Sequence, residues 1–311
     1  LVYASEENPI TIMLMEGTFS PSSNNEPFPI LLLNWVNFLG AGSDVTILDA
    51  EETGLVLKFE NIDNCNIESL TITGGYACCG IGFNRGGGIY SINSTPNILN
   101  VTITDNRAYN FGGGLYLLNS DAIFTNVTLS YNKQTSNQSG RGGGMFIQES
   151  NPTFTNISVI ENSACNYGMG IYMQYSDPIM TNILISENFP ECSSGTESAN
   201  GVGMFLYDSN PNMTNISITN NGHGLGAGMS TAYCYNLLME NVIFNGNYGG
   251  TGAGARFYNS NVNMNRVVFS NNESMDGAGF AAVGETNIFL FNVTISDNIA
   301  SRDGGGIIMF S

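Results

Sequence analysis

A glycine-rich phrase that returns nine times constrains the fold of this chain more than any other feature. Copies such as FGGGLYLLNS and RGGGMFIQES join glycines to an alternating apolar run, a combination that suits neither a helix nor an ordinary strand. Successive copies lie 25 to 33 residues apart and begin at Gly86, Gly112, Gly142, Gly168, Gly201, Gly226, Gly252, Gly277 and Gly304. Self-similarity at a nearly constant period predicts a stack of structural repeats.

A second phrase, with copies such as NVTITDN and NISVIEN, lies inside each repeat. Its apolar residues alternate with Thr or Ser, which predicts a strand with one buried face. If each strand pairs in parallel with its equivalent one coil away, identical residues stack on each other, and stacked amides can form a hydrogen-bonded ladder. All eight copies end in asparagine, at Asn106, Asn132, Asn162, Asn188, Asn221, Asn247, Asn272 and Asn298.

The repeat length selects the architecture. Each repeat of about 27 residues offers three short strands and no helical periodicity, whereas a propeller blade needs about 40 residues. We therefore expect an all-β solenoid of about eleven coils, stacked at the ~4.8 Å spacing of paired strands. It forms one domain over residues 1–311, with N-terminal coils in 1–85 and the Gly/Asn repeats in 86–311. The chain begins without Met and stops in mid-pattern, so we expect a fragment or a processed chain.

The pattern GGGIY…NVTIT…N resembles the right-handed parallel β-helix repeats of the pectin lyase-like superfold. It is especially similar to the repeats of bacterial polymorphic outer membrane proteins, which combine a GGA-plus-apolar phrase with an F-x-x-N phrase. This chain has GAGF at residues 277–280, FSNN at 269–272 and, near its start, NFLGAGSDVTILDA. The resemblance implies a right-handed, single-stranded parallel β-helix over nearly the whole chain.

Charge and composition restrict the partners. Eight Lys and Arg stand against 26 Asp and Glu, giving a formal net charge of −18. This disfavours nucleic acid, anionic membrane surfaces and polyanionic substrates, which all need basic contacts. No run of about 18 apolar residues predicts a membrane-spanning helix. A surface rich in Asn, Ser and Thr but only 11% charged is typical of extracellular β-rich proteins, so we expect an extracellular or cell-surface location.

Two cysteines are placed for a disulfide. Cys165 and Cys192 follow their ladder asparagines by three and four residues, so they lie side by side in adjacent coils. Cys65 with Cys78 or Cys79 is a second candidate. Either bond indicates an oxidising compartment. Most N-x-[ST] sequons arise from the repeat itself, and the best glycan acceptor is Asn137, in an inserted loop.

Five successive coils carry an aromatic residue after the first inward position of the glycine phrase. Alternation along a strand points these side chains outward. Two interpretations stay open: a self-supporting stack of rings, or an exposed contact surface for another chain, a long loop or sugar rings. The five residues are Tyr90, Tyr116, Phe146, Tyr172 and Phe205.

The superfold includes pectate lyases and polygalacturonases, so the resemblance raises the question of catalysis. The one histidine, His223, lies in a Gly-His-Gly triplet like that of polygalacturonases, but the chain has no Asp-Asp dipeptide and no Arg-Ile-Lys segment. The arginines fall at different repeat positions. We therefore expect no catalytic residues. Glu161 and Glu187 occupy one repeat position in successive coils, and either bind Ca²⁺ or point into solvent. No other cofactor is expected.

These observations favour a non-catalytic extracellular rod for surface display, adhesion or assembly into a filament. Its partners would be further copies of itself, stacked laterally or end to end, or cell-surface glycans and proteins. Two alternatives remain: a polysaccharide-active enzyme of the pectin lyase-like type, and a glycan-binding module that uses the aromatic residues. A lateral cleft with clustered acidic and basic side chains would favour the enzyme.

Overall fold

The chain winds into a parallel β-solenoid, seen in a computed structural model that describes residues 4–78, 84–136, 140–192 and 199–310. Within these residues, an eleven-stranded sheet contains the strands of the glycine phrase, one strand from each coil, so the solenoid has about eleven turns. We call it the glycine sheet. Its strands are Ile30–Leu31, Leu57–Glu60, Ile89–Ile92, Leu115–Leu118, Met145–Gln148, Ile171–Gln174, Met204–Tyr207, Met229–Ala232, Ala255–Tyr258, Phe280–Val283 and Ile307–Phe310. The predicted all-β solenoid is confirmed.

A second sheet, the long sheet, is built by the NVTIT-type phrase and the residues before it. Its described part has fifteen strands, paired in parallel one coil apart as predicted, with Ile103 opposite Leu129 and Leu129 opposite Val159. The strands are Ile10–Leu14, Gly17–Phe19, Val36–Gly40, Thr46–Asp49, Asp63–Thr73, Thr95–Thr104, Ile123–Ser130, Thr153–Ile160, Ile179–Ser186, Asn212–Thr219, Leu237–Asn245, Asn261–Asn265, Val268–Ser270, Asn287–Phe291 and Thr294–Ser296.

A third, shorter run of pairing follows the ladder asparagine of each coil. We call it the short sheet; in the described residues it comprises Tyr76–Ala77, Arg107–Ala108, Lys133–Gln134, Ser163–Ala164 and Phe189–Pro190. A separate pair, Glu273–Asp276 and Ile299–Asp303, continues this position in the C-terminal coils. Pro21–Asn24 is the one described helix, and no described helix is long and apolar enough to cross a bilayer.

The core is one continuous apolar column between the long sheet and the glycine sheet. In a typical coil, Ile98, Val101 and Ile103 from the long sheet meet Leu115 and Leu117 from the glycine sheet, and all five are at most 1% exposed. Equivalent residues, mostly apolar, stack on each other in successive coils, which keeps the interior filled along the axis.

The eight asparagines that end the NVTIT-type phrase lie in one column. Each side-chain amide donates to the amide oxygen of the next coil, at 2.8–3.2 Å from Asn106 through to Asn298. In the middle of the column, Asn188 also donates to the carbonyl oxygens of Val159 and Ser186, at 3.0 and 3.1 Å. From Asn106 to Asn272 these side chains are at most 1% exposed, so the ladder satisfies polar groups that water cannot reach.

The glycine phrase exists because this ladder needs room. The first glycine of every copy has a left-handed φ, between 55° and 70°, as in Gly112. The third glycine packs on the ladder: a β-carbon on Gly114 would lie 2.8 Å from Cγ of Asn132 and 2.8 Å from the Gly144 oxygen. The middle position varies along the chain, and later coils place Met169 or Val202 there. The two sequence phrases are therefore the two sides of one contact.

A substitution inside the ladder tests its contribution. Asn188→Ala removes two donors and an acceptor from buried partners, and we expect the free energy of unfolding to fall by about 3 kcal/mol, because buried polar groups lose their bonds. The matched control is Asn182→Gly, on an exposed asparagine column with φ 57°, where we expect a change of less than about 1 kcal/mol. Urea unfolding followed by circular dichroism measures both; equal losses would contradict a special role for the ladder.

Candidate functional site

The five outward aromatic residues are buried, so the prediction that they form an exposed contact surface is wrong. Their exposed fractions lie between 0% and 8%. The rings stack on each other with centroids 5.0–5.6 Å apart and interplanar angles of 6° to 16°, in the order Tyr90, Tyr116, Phe146, Tyr172, Phe205. They form a second apolar core on the outer face of the glycine sheet, which we call the ring stack. Burial raises the pKa of the Tyr172 hydroxyl to about 12.

The cover comes from the residue that precedes each glycine phrase. Arg85, Phe111, Arg141 and Tyr167 pair with each other in parallel bridges and lie over the rings. The Arg85 guanidinium is 5.3 Å from the Tyr116 ring centroid and donates to the Tyr116 hydroxyl at 2.9 Å. The Arg141 guanidinium likewise lies 5.1 Å from the Tyr172 ring centroid and donates to the Tyr172 hydroxyl at 3.2 Å. A cation over an aromatic face is attracted by the negative electrostatic potential of that face. These two arginines are structural.

The ring stack should contribute strongly to stability. Phe146 lies at its centre, and Phe146→Ala leaves a cavity between Tyr116 and Tyr172, so we expect a loss of about 3–5 kcal/mol in the free energy of unfolding. Ile123 is 49% exposed, and Ile123→Ala is the control, with an expected change of about 0.5 kcal/mol. A Phe146→Ala variant as stable as the control would show that the rings are not packed.

Cys165 and Cys192 form a disulfide across adjacent coils, with Cα atoms 4.9 Å apart. Cys65 and Cys78 are not bonded to each other, and Cys79 lies outside the described residues. Burial raises the pKa of the Cys65 and Cys234 thiols to about 12, so both stay protonated and unreactive near neutral pH.

Thiol titration checks this pairing. In denaturant without reductant we expect at most four of the six cysteines to react, since two are bonded. In the native protein at pH 8, Cys65 and Cys234 should not react, because their pKa values lie far above that pH. Six reactive thiols in the unreduced, unfolded chain would rule out the disulfide.

Neither the predicted glycan acceptor nor the predicted calcium site gains support among the described residues. Asn137 lies outside the described residues. Glu161 and Glu187 occupy left-handed turn positions, with φ 55° and 57°, and Glu161 accepts a hydrogen bond from Tyr131. In the described parts of the chain, no three His, Cys, Asp or Glu side chains come together as metal ligands.

An open groove of about 670 Å³ crosses the C-terminal coils. Three side chains that can transfer protons line it: His223, Tyr248 and Glu273. They belong to three successive coils, since Tyr248 pairs with Gly222 on one side and with Glu273 on the other. Apolar walls complete the groove, from Leu225 and from Met275, which is 46% exposed.

Backbone geometry holds the first two of these side chains together. The ring of Tyr248 lies over Gly222, where a β-carbon would come within 2.6 Å of the tyrosine hydroxyl oxygen. The ring meets the imidazole of His223 edge to face, with centroids 4.7 Å apart, and the His223 amide donates to the Tyr248 carbonyl at 2.9 Å. The first glycine of the Gly-His-Gly triplet, Gly222, thus makes space for a tyrosine of the next coil.

An ion pair adjoins the groove. Asp276 and Arg302 directly follow two lining residues, Met275 and Ser301, and the Arg302 guanidinium donates to both carboxylate oxygens of Asp276. The groove region therefore gathers an imidazole, a phenol, a free carboxylate and a bidentate ion pair. The groove lining itself contains one carboxylate, Glu273, and neither Lys nor Arg among the described residues.

Sequence reasoning considered His223 and set it aside, and it missed Tyr248 and Glu273. A signal was present. Tyr248 and Glu273 each directly follow a ladder asparagine, as Gly222 does, so aligning the coils on that column brings them together. Earlier coils have Arg107 and Lys133 at this position, where they form ion pairs with acidic side chains.

Comparison with known proteins identifies the family. The family model of the right-handed β-helix region matches residues 113–300, more than half of the chain. This chain belongs to the right-handed β-helix family. No curated protein sequence matches it. The likeness of its repeats to those of polymorphic outer membrane proteins stays a prediction.

Solved structures with a similar fold share little sequence identity with this β-helix. The A-module of mannuronan C-5 epimerase AlgE4 from Azotobacter vinelandii is 13% identical, with 95% of this chain and 90% of that chain covered and a TM-score of 0.45. The catalytic domain of a GH87 α-1,3-glucanase is 13% identical, with 97% and 64% covered and a TM-score of 0.37. A mannuronic acid-specific family 6 lyase from human gut microbiota is 10% identical, with 90% and 76% covered and a TM-score of 0.33.

The expectations of a non-catalytic rod and of a chain that is not an enzyme are overturned. The similar solved structures are polysaccharide-acting enzymes, although at these values the likeness concerns the fold alone. The described residues also form an open groove in which His223, Tyr248 and Glu273 lie side by side.

Proposed function

We propose that this β-helix is an extracellular enzyme that acts on a polysaccharide in the groove of His223, Tyr248 and Glu273. The observation that carries the proposal is their position: three proton-transfer groups on three successive coils, side by side in one open groove. The position after the ladder asparagine varies along the chain, and in these coils it brings Tyr248 and Glu273 beside His223. Titratable side chains that converge in a concave surface are a typical sign of a functional site.

The side chains favour proton transfer over hydrolysis by a carboxylate pair. Glycoside hydrolysis usually employs two carboxyl groups that face each other across the bond. Of the described groove lining, Glu273 is the one carboxylate, and Asp276 beside it is held by Arg302. An imidazole and a phenol in contact can instead remove the proton from the carbon next to a sugar's carboxyl or ester group on one side, and from the other side return a proton to that carbon or donate one to the departing glycosidic oxygen. Elimination and epimerisation are reactions of this class.

The form and setting of the groove support a polymeric substrate. It is open along its length and spans coils stacked at about 4.8 Å, so a chain can cross it without threading an end. The disulfide and the lack of a membrane-spanning helix in the described residues fit an extracellular location. Similar solved structures include an epimerase and a lyase that act on polysaccharides, and the proposal places this chain in that broad class.

Three substitutions test the groove. We expect Tyr248→Phe, His223→Ala and Glu273→Gln each to lower turnover by about 10²–10⁴-fold, the usual contribution of a positioned acid or base. Turnover is followed on a panel of uronate-containing and neutral polysaccharides, by absorbance of unsaturated products, by reducing ends and by proton exchange into the sugar from deuterated water.

The matched control is Tyr109→Phe, which removes the same hydroxyl from a tyrosine that is 47% exposed outside the groove. It should leave turnover unchanged. An activity that survives all three groove substitutions at the wild-type rate would refute this site. Folding is checked for every variant by circular dichroism, since all four positions are solvent-accessible and should tolerate the change.

A further inference from the structure

Among the described residues, one cation of this acidic protein has neither a counter-charge nor a hydrogen-bond partner. Seven of its eight Lys and Arg side chains have partners: Lys58, Arg107, Lys133, Arg266 and Arg302 pair with carboxylates, while Arg85 and Arg141 cover the ring stack. Arg256 is the eighth. Among the described residues it forms no ion pair and no hydrogen bond, although 26 Asp and Glu are present in the chain. Its one described interaction is with the Tyr258 ring, 5.7 Å from the guanidinium.

Arg256 lies where the ring stack ends. It occupies the same outward column of the glycine sheet, between Ser230 of the preceding coil and Ala281 of the next. The side chain is half-buried, and desolvation lowers the pKa of its guanidinium, which nevertheless stays charged near neutral pH. The Ser230 hydroxyl beside it is fully buried and has no hydrogen-bond partner. A half-buried cation next to an unsatisfied hydroxyl is costly unless something binds there.

Four tyrosines form a continuous row next to Arg256. Tyr175, Tyr207, Tyr233 and Tyr258 come from four successive coils and meet edge to face, with centroids 5.6–5.7 Å apart. Unlike the ring stack, this row reaches solvent: Tyr175 is 50% exposed and the other three are partly exposed. The Tyr233 hydroxyl donates a hydrogen bond to Tyr258 and accepts one from the Asn259 side chain, which holds one end of the row in place. We call these residues the tyrosine row.

A small residue opens a notch in this row. Ala232 stands between Tyr207 and Tyr258 in the second outward column of the glycine sheet. A cavity of about 420 Å³ begins at Ala232 and extends along Tyr207 and Tyr175 toward Arg141. Aromatic walls with a polar edge suit the apolar C–H face of a sugar ring, and a planar guanidinium suits a bidentate acidic group.

We propose that the tyrosine row and Arg256 form a saccharide-binding site that is separate from the groove and takes a sugar ring bearing a single acidic group, a carboxylate or a sulfate ester. The ring lies at the notch of Ala232, against Tyr207 and Tyr233, and its acidic group pairs with Arg256. None of these residues lines the groove of His223, so the site holds a glycan without taking part in the reaction there.

Because the protein carries a net charge of −18, Arg256 attracts only those acidic ligands that reach its guanidinium directly. The overall field repels polyanions, and Asp208, on the turn beside Tyr207, forms no ion pair with Arg256 in the structure. A ligand therefore gains from Arg256 only if its acidic group reaches the guanidinium while its ring lies on the tyrosines. Binding should depend on this geometry more than on the number of charges.

Calorimetry with three matched trisaccharides tests the proposal on the full chain. The probes are a tri-uronate, its carboxyl-reduced neutral form, and that neutral form carrying one sulfate. We expect the wild type to bind at least one acidic probe about tenfold more tightly than the neutral one, the effect of one charge-assisted pair. The stronger acidic probe identifies the group. Equal binding of all three probes, or no binding of any, would overturn the proposal.

Variants locate the binding. Arg256→Gln should remove the preference for acidic probes, and Tyr233→Ala should weaken all probes several-fold because it removes part of the ring platform. Arg266→Gln is the control, an exposed arginine already paired with Glu240, and should change nothing. If Arg256→Gln keeps the wild-type preference, the site is wrong. The preference for acidic probes and the turnover in the groove are measured separately on the wild type, so that failure of this site (no preference) and failure of the catalytic groove (no turnover) are distinguishable.

Discussion

The contact between the asparagine ladder and the third glycine of each coil is the constraint on which the rest of this β-helix depends. Each buried amide links its own coil to its neighbours, and it fits only because Gly114 and its equivalents have no β-carbon. Neither phrase is explained alone: the glycines would weaken a strand, and the asparagines would be costly without partners. Together they lock the register of successive coils, and every other column of side chains inherits that register.

A locked register makes each repeat position a column that can be altered separately. The position after the ladder asparagine carries paired cations in the early coils and then Gly222, Tyr248 and Glu273, which build the groove. The outward position of the glycine sheet carries five rings and then Ser230, Arg256 and Ala281. The inward columns vary mainly in the size of apolar residues, because the interior is close-packed; the buried, hydrogen-bonded hydroxyls of Ser91 and Thr231 are exceptions. Function in such a fold is therefore expected where a surface column changes its chemistry.

This explains what the sequence could and could not predict. Parallel pairing, the ladder and the neighbouring positions of Cys165 and Cys192 all follow from the period, since each requires only that equivalent residues stack. The burial of Tyr116 and its neighbours does not follow, because alternation correctly points them outward while Arg85 and Arg141 cover them from another position. Periodicity tells which way a side chain points; it does not tell what lies above it.

The same cover explains why both candidate sites lie in the later coils. Up to Phe205, aromatic rings fill the outer face of the glycine sheet. Arg85 and Arg141 cover these rings, with their guanidinium groups over the aromatic faces. From Ser230 onward the rings are replaced by small side chains, and the cover residues change to Leu225 and Thr251. Arg256 then has neither a ring stack to cover nor a carboxylate to pair with. The early coils therefore stabilise the fold, whereas beyond the end of the ring stack the outer face of the glycine sheet is accessible to a ligand.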